Sequence, residues 1–451
     1  MEQADIAVTD IAVIGGSAAG LTAAITARRH YPDQSILLVR KEEQVLIPCG
    51  IPYIFGTVGA PEKNLIPDAV LEKHDIELLI TEAESLDTDE RVLQTKAGEI
   101  AYERLILATG SKPAMPPIPG IDLEGVFTVV KDVDYLHDLQ RRLETAHDVV
   151  VIGGGFIGIE FGDEINKTGG KNVSIVEMMP HCLMLAYDEE FCITMEEVLE
   201  SRGVNVSAPA RVESIVGNGR VERVELADGT SIDADLVIVG VGAVANVDLA
   251  REAGLEIGQT GGIHVDRTMK TSADHVFACG DCAEKVSFFG GKPSRLKLAS
   301  IASTEARIAG ANLFGVKREN VGTVGVWSTA VGDHALATAG LTESMAEDLG
   351  YDVVSVAIEG VNRHPGLMPG GAKTKVKMVF ERNSAVALGG QVMGDSTAGE
   401  IINAISACVQ NRMTAEQIAM FQIGTHPALT ASPIAYHVVN AAEMALAEMR
   451  K

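Results

Sequence analysis

Two glycine-rich loops constrain the fold of this chain more than any other feature. The first runs Gly15-Gly16-Ser17-Ala18-Ala19-Gly20 and the second runs Gly153-Gly154-Gly155-Phe156-Ile157-Gly158. Each loop follows an apolar strand and opens an amphipathic helix, which is the context that a dinucleotide-binding loop requires. The glycines let the backbone approach a pyrophosphate, and the helix N-terminus supplies N–H donors to it. The chain is therefore predicted to be an α/β protein with two Rossmann-like dinucleotide-binding domains.

Length and charge exclude several classes of protein. The chain has 451 residues, which at roughly 150 residues per domain predicts about three domains. Its formal net charge of −25 argues against nucleic acid or an anionic membrane as a partner, because binding phosphates requires clustered cations. The N-terminal stretch Met1-Glu2-Gln3-Ala4-Asp5 carries acids where a signal peptide carries lysine or arginine, and no apolar run has the length of a membrane span. We therefore expect a cytoplasmic protein.

The pattern of strands and helices predicts how the domains follow one another. A proline-rich segment, Lys112–Gly120, separates the first glycine-loop unit from the second. After the second unit the chain returns to the first, through a short strand that ends at Asp281 and a helix at 298–313. We predict a first dinucleotide-binding domain at 1–113 and 245–320, a second one inserted in it at 114–244, and a third, α+β domain at 321–451.

The residue that ends the second strand of each unit predicts nucleotide specificity, because it meets the adenosine ribose. In the second unit this residue is Glu177, and a carboxylate accepts hydrogen bonds from the ribose hydroxyls. The segment Met178-Met179-Pro180-His181 has no arginine or lysine to hold a 2′-phosphate, which predicts NADH over NADPH, although His181 weakens this argument. In the first unit the equivalent residue is Arg40, which only donates. Either a ribose oxygen accepts from Arg40, or Glu42 or Glu43 substitutes for the usual acid.

The motifs together resemble those of one enzyme family. They are the two glycine loops, the second through Glu160, together with Cys49-Gly50-Ile51-Pro52-Tyr53, Ala108-Thr109-Gly110, Gly242 to Asn246, and Gly280-Asp281. The sequence resembles the flavin-dependent pyridine nucleotide-disulfide oxidoreductases. Within this family it is similar to the single-cysteine branch of coenzyme A-disulfide reductase, NADH oxidase and NADH peroxidase, over nearly the whole chain.

The resemblance implies cofactors, a partner and residue roles. It implies that the first unit binds FAD, the second binds NADH, and the third domain forms a homodimer. Asp281 would bind the FAD ribityl chain, Glu160 the nicotinamide amide, and Phe156 would be the aromatic gate over the flavin. The helix that starts near Leu298 and Ala299 would direct its N-terminus at the flavin pyrimidine ring. The remaining predicted cofactor contacts lie in the glycine loops and nearby turns: Gly15, Gly16, Ser17, Ala18, Ala19, Gly20, Arg40, Ala108, Thr109, Gly110, Gly280, Gly153, Gly155, Ile157, Gly158, Glu177 and Gly242.

Cys49 is the predicted redox-active residue. Dithiol members of the superfamily carry a second cysteine five residues later, where this chain has Ile54. A single thiol beside a flavin still takes two electrons by cycling through a mixed disulfide, a persulfide or a sulfenic acid. We expect a helix at Ile51–Phe55 just after it. Cys279 and Cys282 have CxxC spacing, but no second ligand pair at zinc-like spacing follows, so no metal site is predicted.

The residues that would recognise the substrate give a mixed signal. The pair Arg28-Arg29 resembles coenzyme A-disulfide reductases and suits a phosphate-bearing thiol. Those enzymes carry a serine and an asparagine where this chain has Val45 and Pro48, and the segment 364–368 lacks their tyrosine. The segment 425–430 instead resembles the histidine-proline segment of dithiol members, which implies that His426, from the partner subunit, is the acid/base. The supporting glutamate of that segment is replaced by Ala431.

Three functions remain open from the sequence. The favoured one is an NADH-dependent reductase of a small disulfide, persulfide or polysulfide such as coenzyme A disulfide. The second is an NADH oxidase or peroxidase in which Cys49 cycles through sulfenic acid. The third is a non-catalytic flavoprotein that acts as a redox sensor.

Overall fold

The structure is a computed structural model that describes residues 7–365 and 367–451. The first residues, on which the expectation about a signal peptide rests, lie outside the described part, as does Gly366 in the segment 364–368. The chain divides into two compact units. The first contains the described residues up to Pro116 together with Thr128–Thr145 and Val241–Thr323, and the second contains Pro117–Phe127, Ala146–Gly240 and Val324–Lys451.

The first unit is built on a seven-stranded sheet. Its strands lie in the order Glu77–Ile80, Ile36–Arg40, Ala7–Ile14, Gly98–Leu107, Val92–Thr95 and Ala83–Asp87, and Val276–Ala278 pairs with Gly98–Leu107. The first four strands and Val276–Ala278 pair in parallel, whereas Val92–Thr95 pairs antiparallel to both of its neighbours. Parallel strands bring their carboxyl ends to one edge, so the loops after Ile14, Leu107 and Ala278 lie side by side.

Two helices of the first unit pack against each other next to this sheet. They are Ala18–His30 and Ala299–Asn312. A Cβ atom at Gly310 would lie 2.5 Å from the carbonyl oxygen of Ala23, so a glycine is required for this close approach. The other helices of the unit are Ala69–Lys73, Val133–Thr145 and Asp248–Glu252, with 3₁₀ turns at Pro48–Gly50, Pro52–Phe55, Pro61–Asn64 and Gly280–Cys282. Three two-stranded sheets complete it: Val45–Leu46 with Leu65–Ile66, Ser111–Pro113 with Ala243–Ala245, and Lys285–Val286 with Pro293–Ser294.

The second unit repeats the parallel-sheet plan. Its first sheet has the strand order Val126–Thr128, Leu236–Val239, Asp148–Ile152, Asn172–Val176 and Val204–Ser207. The last four strands are parallel, and the helices Phe156–Asn166 and Glu189–Ser201 connect them. A small antiparallel sheet shares an apolar core with this parallel sheet, and its strands are Val212–Gly217, Val221–Leu226 and Ser231–Asp233.

The C-terminal part of the second unit is an antiparallel sheet with helices. The strand order is Val326–Val331, His334–Gly340, Ala387–Gly394, Lys373–Glu381 and Val353–Val361. The helices are Glu343–Asp348, Ala398–Gln410, Ala415–Ala419 and His437–Met449, with a 3₁₀ turn at Pro433–Ala435. The helix Phe156–Asn166, which follows the second glycine loop, packs on the strand Val326–Val331. The second parallel sheet and the C-terminal sheet therefore form one body.

The two parallel sheets confirm the predicted α/β fold with two Rossmann-like domains, the second inserted in the first. The predicted domain boundaries stay a prediction. One local expectation was wrong, because the segment Ile51–Phe55 forms only a short 3₁₀ turn at Pro52–Phe55, and Cys49 lies in a separate 3₁₀ turn, Pro48–Gly50. Among the described residues, no helix is long and apolar enough to cross a membrane.

Candidate active site

The first glycine loop is a tight turn between strand and helix. Gly15 has φ of +112°, and a Cβ atom at Gly20 would lie 1.8 Å from the carbonyl oxygen of Gly15. The N-cap residue of the following helix, Ser17, makes no side-chain capping hydrogen bond. The N–H groups of the first turn therefore have no partner from that side chain, which fits a site for a pyrophosphate.

Two other predicted segments meet this loop. A Cβ atom at Gly15 would lie 2.2 Å from the carbonyl oxygen of Ala108, and one at Gly280 would lie 2.7 Å from Cβ of Ala19. Thr109 donates from Oγ1 to the carbonyl of Asn246 at 2.6 Å, which fixes the turn at Thr109-Gly110. The structure thus brings the glycine loop, Ala108–Gly110 and Gly280-Asp281 together at the carboxyl edge of the sheet.

A buried ion pair that no sequence motif predicts supports the Gly280-Asp281 turn. Lys285 Nζ lies 2.9 Å from Glu305 Oε2, and both side chains are almost fully buried. The same Glu305 oxygen accepts from the backbone N–H of Gly280 at 2.9 Å, and Lys285 donates to the carbonyl of Gly280. Asp281 accepts from Ser111 Oγ at 2.8 Å. Glu305 lies in the helix Ala299–Asn312, so the turn and the helix are held in one geometry.

The start of that helix has no side-chain cap either. Its N-cap residue is Leu298, with extended backbone, and the helix begins at Ala299. An apolar side chain provides no acceptor for the N–H groups of the first turn. Uncapped N–H groups fit the predicted contact of this helix N-terminus with the flavin pyrimidine ring. The roles of Leu298 and Ala299 stay predictions.

Arg40 pairs with an aspartate that is distant in the chain. Its guanidinium donates to both carboxylate oxygens of Asp68, at 2.6 and 2.7 Å. It also donates to the main-chain carbonyls of Glu42 and Glu43, at 2.8 and 3.0 Å. Four of its five N–H groups are therefore used within the protein. Glu42 and Glu43 contribute backbone oxygens to this arrangement.

The second glycine loop has the same geometry as the first. Gly153 has φ of +106°, and a Cβ atom at Gly158 would lie 1.8 Å from the carbonyl oxygen of Gly153. The N-cap residue of its helix is Gly155, which has no side chain to cap with. The buried carboxylate of Glu177 accepts from the N–H groups of Gly154 and Met179, both at 2.6 Å. The predicted ribose acid is thus held rigidly beside the loop.

The imidazole ring of His181 contacts two carboxylates. Its Nδ1 lies 2.8 Å from Glu196 and its Nε2 lies 3.3 Å from Glu189. The hydrogen bond to Glu196 raises the pKa of His181 above its ordinary value, against the opposing effect of partial burial. A positive charge on His181 is therefore balanced by the carboxylates of Glu196 and Glu189. This weakens the attraction that His181 would have for a 2′-phosphate.

The C-terminal sheet contributes neighbours to the predicted nicotinamide residues. Glu160 accepts from Thr329 Oγ1 at 2.9 Å. The ring of Phe156 lies 5.6 Å from the ring centre of Trp327 and 6.0 Å from that of Tyr187. No local pattern predicts these contacts, because Thr329 and Trp327 are about 170 residues from Glu160 and Phe156 in the chain. Gly242, another predicted contact, has φ of +100° and accepts from the N–H of Ala114 at 2.9 Å within the first unit.

The exposed cysteine is Cys49, which lies in the 3₁₀ turn Pro48–Gly50. Asn64 braces this turn. Its side-chain amide donates to the carbonyl of Ile47 at 2.9 Å, and its main-chain carbonyl accepts from the N–H of Ile47 at 2.9 Å. A Cβ atom at Gly50 would lie 2.1 Å from Oδ1 of Asn64, so the glycine after Cys49 is required by this packing. The turn that carries the thiol is thereby fixed.

The other five cysteines are buried: Cys182, Cys192, Cys279, Cys282 and Cys408. Burial raises the pKa of the Cys192 thiol to about 12 and that of Cys408 to about 11. The thiol of Cys282 donates to the carbonyls of Leu107 and Cys279, at 3.4 and 3.3 Å. Since the thiolate is the reactive form, these five residues are poor nucleophiles in the folded protein.

His426 lies in the second unit on an exposed segment. Its Nδ1 accepts from the backbone N–H of Ala428 at 3.2 Å. The neutral ring therefore carries its proton on Nε2 and offers a donor there. Arg28, by contrast, does not fit the expected role in binding phosphate. Its guanidinium donates to the carbonyls of His74, Asp75, Pro32 and Gln34, so it holds the chain around the first helix.

Comparison with known proteins identifies the family. Residues 9–306 match the pyridine nucleotide-disulphide oxidoreductase domain, and residues 326–434 match the dimerisation domain of the same family. The chain belongs to the pyridine nucleotide-disulphide oxidoreductases. The resemblance inferred from the sequence motifs is confirmed, and so is the C-terminal dimerisation domain of the predicted fold.

Several relatives are similar over most of their length. The chain is 34% identical over 392 residues to the NAD(P)H coenzyme A polysulfide/persulfide reductase of Pyrococcus horikoshii, covering 85% of this chain and 87% of that one. It is 31% identical over 420 residues to an NADH oxidase of Methanocaldococcus jannaschii, covering 90% and 92%. Among solved structures, the NAD-dependent persulfide reductase from A. fulgidus superposes with a TM-score of 0.91 at 32% identity, covering 98% of this chain and 84% of that chain.

Membership of the family establishes the coarse function. This pyridine nucleotide-disulphide oxidoreductase is an NAD(P)H-dependent flavoprotein enzyme whose cofactors are FAD and NAD(P)H. Both glycine loops turn tightly from a strand into a helix whose N-terminus has no side-chain cap, and this fits these dinucleotides. The assignment of FAD to the first loop and NADH to the second, like the individual contact residues, stays a prediction.

Proposed function

We propose that this enzyme passes electrons from NADH through FAD to Cys49, which reduces a small disulfide, persulfide or polysulfide. The observation that carries the proposal is the accessibility of the thiols. Of the six cysteines, all of which lie in the described part of the chain, Cys49 alone is exposed. It lies on a turn braced by Asn64. An accessible thiol on a fixed turn suits attack on a small sulfur substrate.

The position five residues after Cys49 supports a single-thiol mechanism. Ile54 occupies it and is fully buried, so no second thiol lies where dithiol enzymes have one. In the proposed cycle, the Cys49 thiolate attacks one sulfur of a substrate R–S–S–R′. The R–S–S–Cys49 bond forms as the S–S bond breaks, and R′S⁻ leaves.

The second half of the cycle regenerates the thiolate. FAD, when bound, would supply the two electrons, which originate in NADH. With two electrons added, the S–S bond to Cys49 is cleaved to give RS⁻ and the Cys49 thiolate. Two protons convert the released thiolates to thiols, one from NADH oxidation and one from solvent. The overall reaction is NADH + H⁺ + RSSR′ to NAD⁺ + RSH + R′SH. For a polysulfide or persulfide, R′ is a sulfur chain or a hydrogen.

We further propose that the enzyme is a homodimer and that His426 of the partner subunit delivers one of these two protons to the leaving thiolate. The dimerisation domain of the family supports the homodimer. The Nδ1 contact with Ala428 supports the role of His426, because it leaves a proton on Nε2. A positioned proton donor typically contributes 10²- to 10⁴-fold to such a step.

One specific observation favours a second function. The Methanocaldococcus jannaschii relative is named an NADH oxidase and covers as much of this chain as the polysulfide reductases do. In that case oxygen or peroxide is the acceptor, and Cys49 cycles through a sulfenic acid.

A steady-state screen tests these proposals. NADH oxidation is measured with coenzyme A disulfide, polysulfide, hydrogen peroxide and oxygen as single acceptors. We expect kcat/KM for a disulfide or polysulfide to exceed the values for oxygen and peroxide by at least tenfold. A higher value for oxygen or peroxide would establish the oxidase or peroxidase function instead.

A further inference from the structure

A buried arginine and a half-exposed aspartate form a pair where the first glycine-loop unit lacks its usual acid. Arg40 ends the strand Ile36–Arg40, and its two Nη atoms donate to the two carboxylate oxygens of Asp68 at 2.6 and 2.7 Å. This is a bidentate, charge-assisted contact, the strongest geometry that an arginine makes with a carboxylate. The two residues are 28 positions apart, and Asp68 immediately precedes the helix Ala69–Lys73.

The exposures of the two side chains decide which of them faces outward. The Arg40 side chain is 2% exposed, whereas the Asp68 side chain is 44% exposed. Arg40 also uses Nε and Nη2 on the carbonyls of Glu42 and Glu43. A carboxylate has about four acceptor positions, of which Arg40 takes two. The carboxylate of Asp68 is therefore the group that this pair offers to a ligand.

The pair lies against the glycine loop. Cδ of Arg40 is 2.6 Å from the position that a Cβ atom at Gly16 would take. In this fold the adenosine ribose of a dinucleotide lies at the end of the second strand, beside the glycine loop, and its hydroxyls require an acceptor there. We propose that Asp68 is the residue that binds the adenosine ribose hydroxyls of FAD, and that Arg40 is the residue that positions it.

This inference rests on the prediction that the first glycine loop holds the FAD of the proposed function. The pairing with Asp68 also explains how an arginine can end this strand. An unpaired cation at this point would favour a ribose phosphate. Because Asp68 neutralises Arg40 and presents two further acceptor positions, the pair selects a ribose hydroxyl instead. The carboxylate that binds the ribose hydroxyls is thus at position 68 and not at the end of the strand.

The test is a comparison of two flavins on the full-length protein after removal of its bound flavin. One is FAD, and the other is an FAD analogue whose adenosine ribose lacks both hydroxyls. Binding is followed by quenching of flavin fluorescence. We expect the wild-type protein to bind FAD about 10- to 100-fold more tightly than the analogue, the range for hydrogen bonds to a charged group. Equal affinities would overturn the inference, and this arm requires no variant to fold.

Three variants assign the effect to Asp68. In Asp68→Asn we expect FAD binding to weaken about 10- to 100-fold and the difference between the two flavins to fall within about twofold. In the double variant Arg40→Glu with Asp68→Asn, which returns the acid to the strand end, we expect FAD affinity to recover at least tenfold over Asp68→Asn alone. The control Glu43→Gln, which keeps the backbone carbonyl used by Arg40, should bind both flavins as the wild type does.

Two results with these variants would overturn the inference. The first is unchanged FAD discrimination in Asp68→Asn, and the second is a loss of discrimination in Glu43→Gln. Far-UV circular dichroism of each flavin-free variant shows whether it is folded. Flavin affinity does not depend on the electron acceptor, so a failure of the sulfur-reductase proposal would leave these results unaffected. Equally, a ribose-independent affinity would leave the acceptor screen unaffected.

Discussion

Asn64 forms hydrogen bonds with both backbone polar groups of Ile47. The main-chain carbonyl of Asn64 accepts from the Ile47 N–H, and the side-chain amide of Asn64 donates to the Ile47 carbonyl, each at 2.9 Å. Two residues later is Cys49, the exposed thiol, and one residue further is Gly50, which packs on Oδ1 of Asn64. Asn64 itself is buried. The thiol is therefore positioned by a residue that shares no local sequence pattern with it.

Asn64→Ala should slow the sulfur half-reaction about tenfold while NADH reduces the flavin at the wild-type rate, because a lost buried hydrogen-bond partner costs about 1–3 kcal/mol in holding the turn. Gly50→Ala should be as harmful, since its Cβ would meet Asn64 Oδ1. The double variant should be less harmful than the sum of the two, because alanine at position 64 leaves room for that Cβ. Rapid-reaction kinetics of the two half-reactions measure this, and strict additivity would contradict it.

Cys49→Ser should abolish disulfide or polysulfide turnover and leave FAD binding and its reduction by NADH intact. The serine hydroxyl is not ionised near neutral pH and forms no mixed disulfide. Cys408→Ala, at a buried cysteine of the dimerisation domain, is the matched control and should keep wild-type turnover. Turnover retained in Cys49→Ser would transfer the chemistry to another cysteine, with Cys279 and Cys282 the first to test.

NADH should reduce the flavin far faster than NADPH at equal concentration, since the carboxylate of Glu177 repels a 2′-phosphate at short range. Its two hydrogen bonds from Gly154 and Met179 keep it beside the loop. Stopped-flow bleaching of the flavin with each nucleotide measures the preference. Glu177→Gln should reduce the ratio of the two rates at least tenfold. Equal rates in the wild-type enzyme would remove Glu177 as the determinant.

The His181–Glu196 contact should stabilise the protein only toward acidic pH. The pKa of His181 is raised in the folded state, mainly by its hydrogen bond to Glu196, above the ordinary value of 6.5. A raised pKa means that the contribution is fully present below the unfolded value and is lost as the pH rises through the folded value. His181→Gln should therefore cost about 0.5–1 kcal/mol at pH 5.5 and close to nothing at pH 9. Thermal denaturation at the two pH values checks this, and a loss that is the same at both would contradict it.

His426→Ala should slow the sulfur half-reaction roughly 10²- to 10⁴-fold and hardly change flavin reduction, as expected for the loss of a general acid. A heterodimer of one Cys49→Ser chain and one His426→Ala chain tests whether the site is shared. If each site takes its histidine from the partner subunit, one intact site remains, and the purified heterodimer should have about half of the wild-type activity. Activity no higher than that of the single-variant homodimers would rule out the shared site.

Much of the fold was predictable from local patterns. The glycine spacing after an apolar strand encodes a turn in which Gly15 and Gly153 have positive φ and a side chain at Gly20 or Gly158 has no room, so both loops were found without a structure. The same holds for the helix that begins at Ala299 and for Cys49 as the exposed thiol. These features depend on residues close together in the chain, where backbone geometry and residue type are directly linked.

The tertiary structure decided what depends on the path of the chain between distant residues. Asp68 reaches Arg40, Asn64 braces the turn of Cys49, Glu305 holds the turn at Gly280, and Thr329 contacts Glu160. None of these pairs has a fixed spacing or period, because loops set which side chains meet. The sequence alone therefore located the two nucleotide loops and the thiol, whereas the partners that position the ribose acid and the thiol depended on long-range packing that no local pattern encodes.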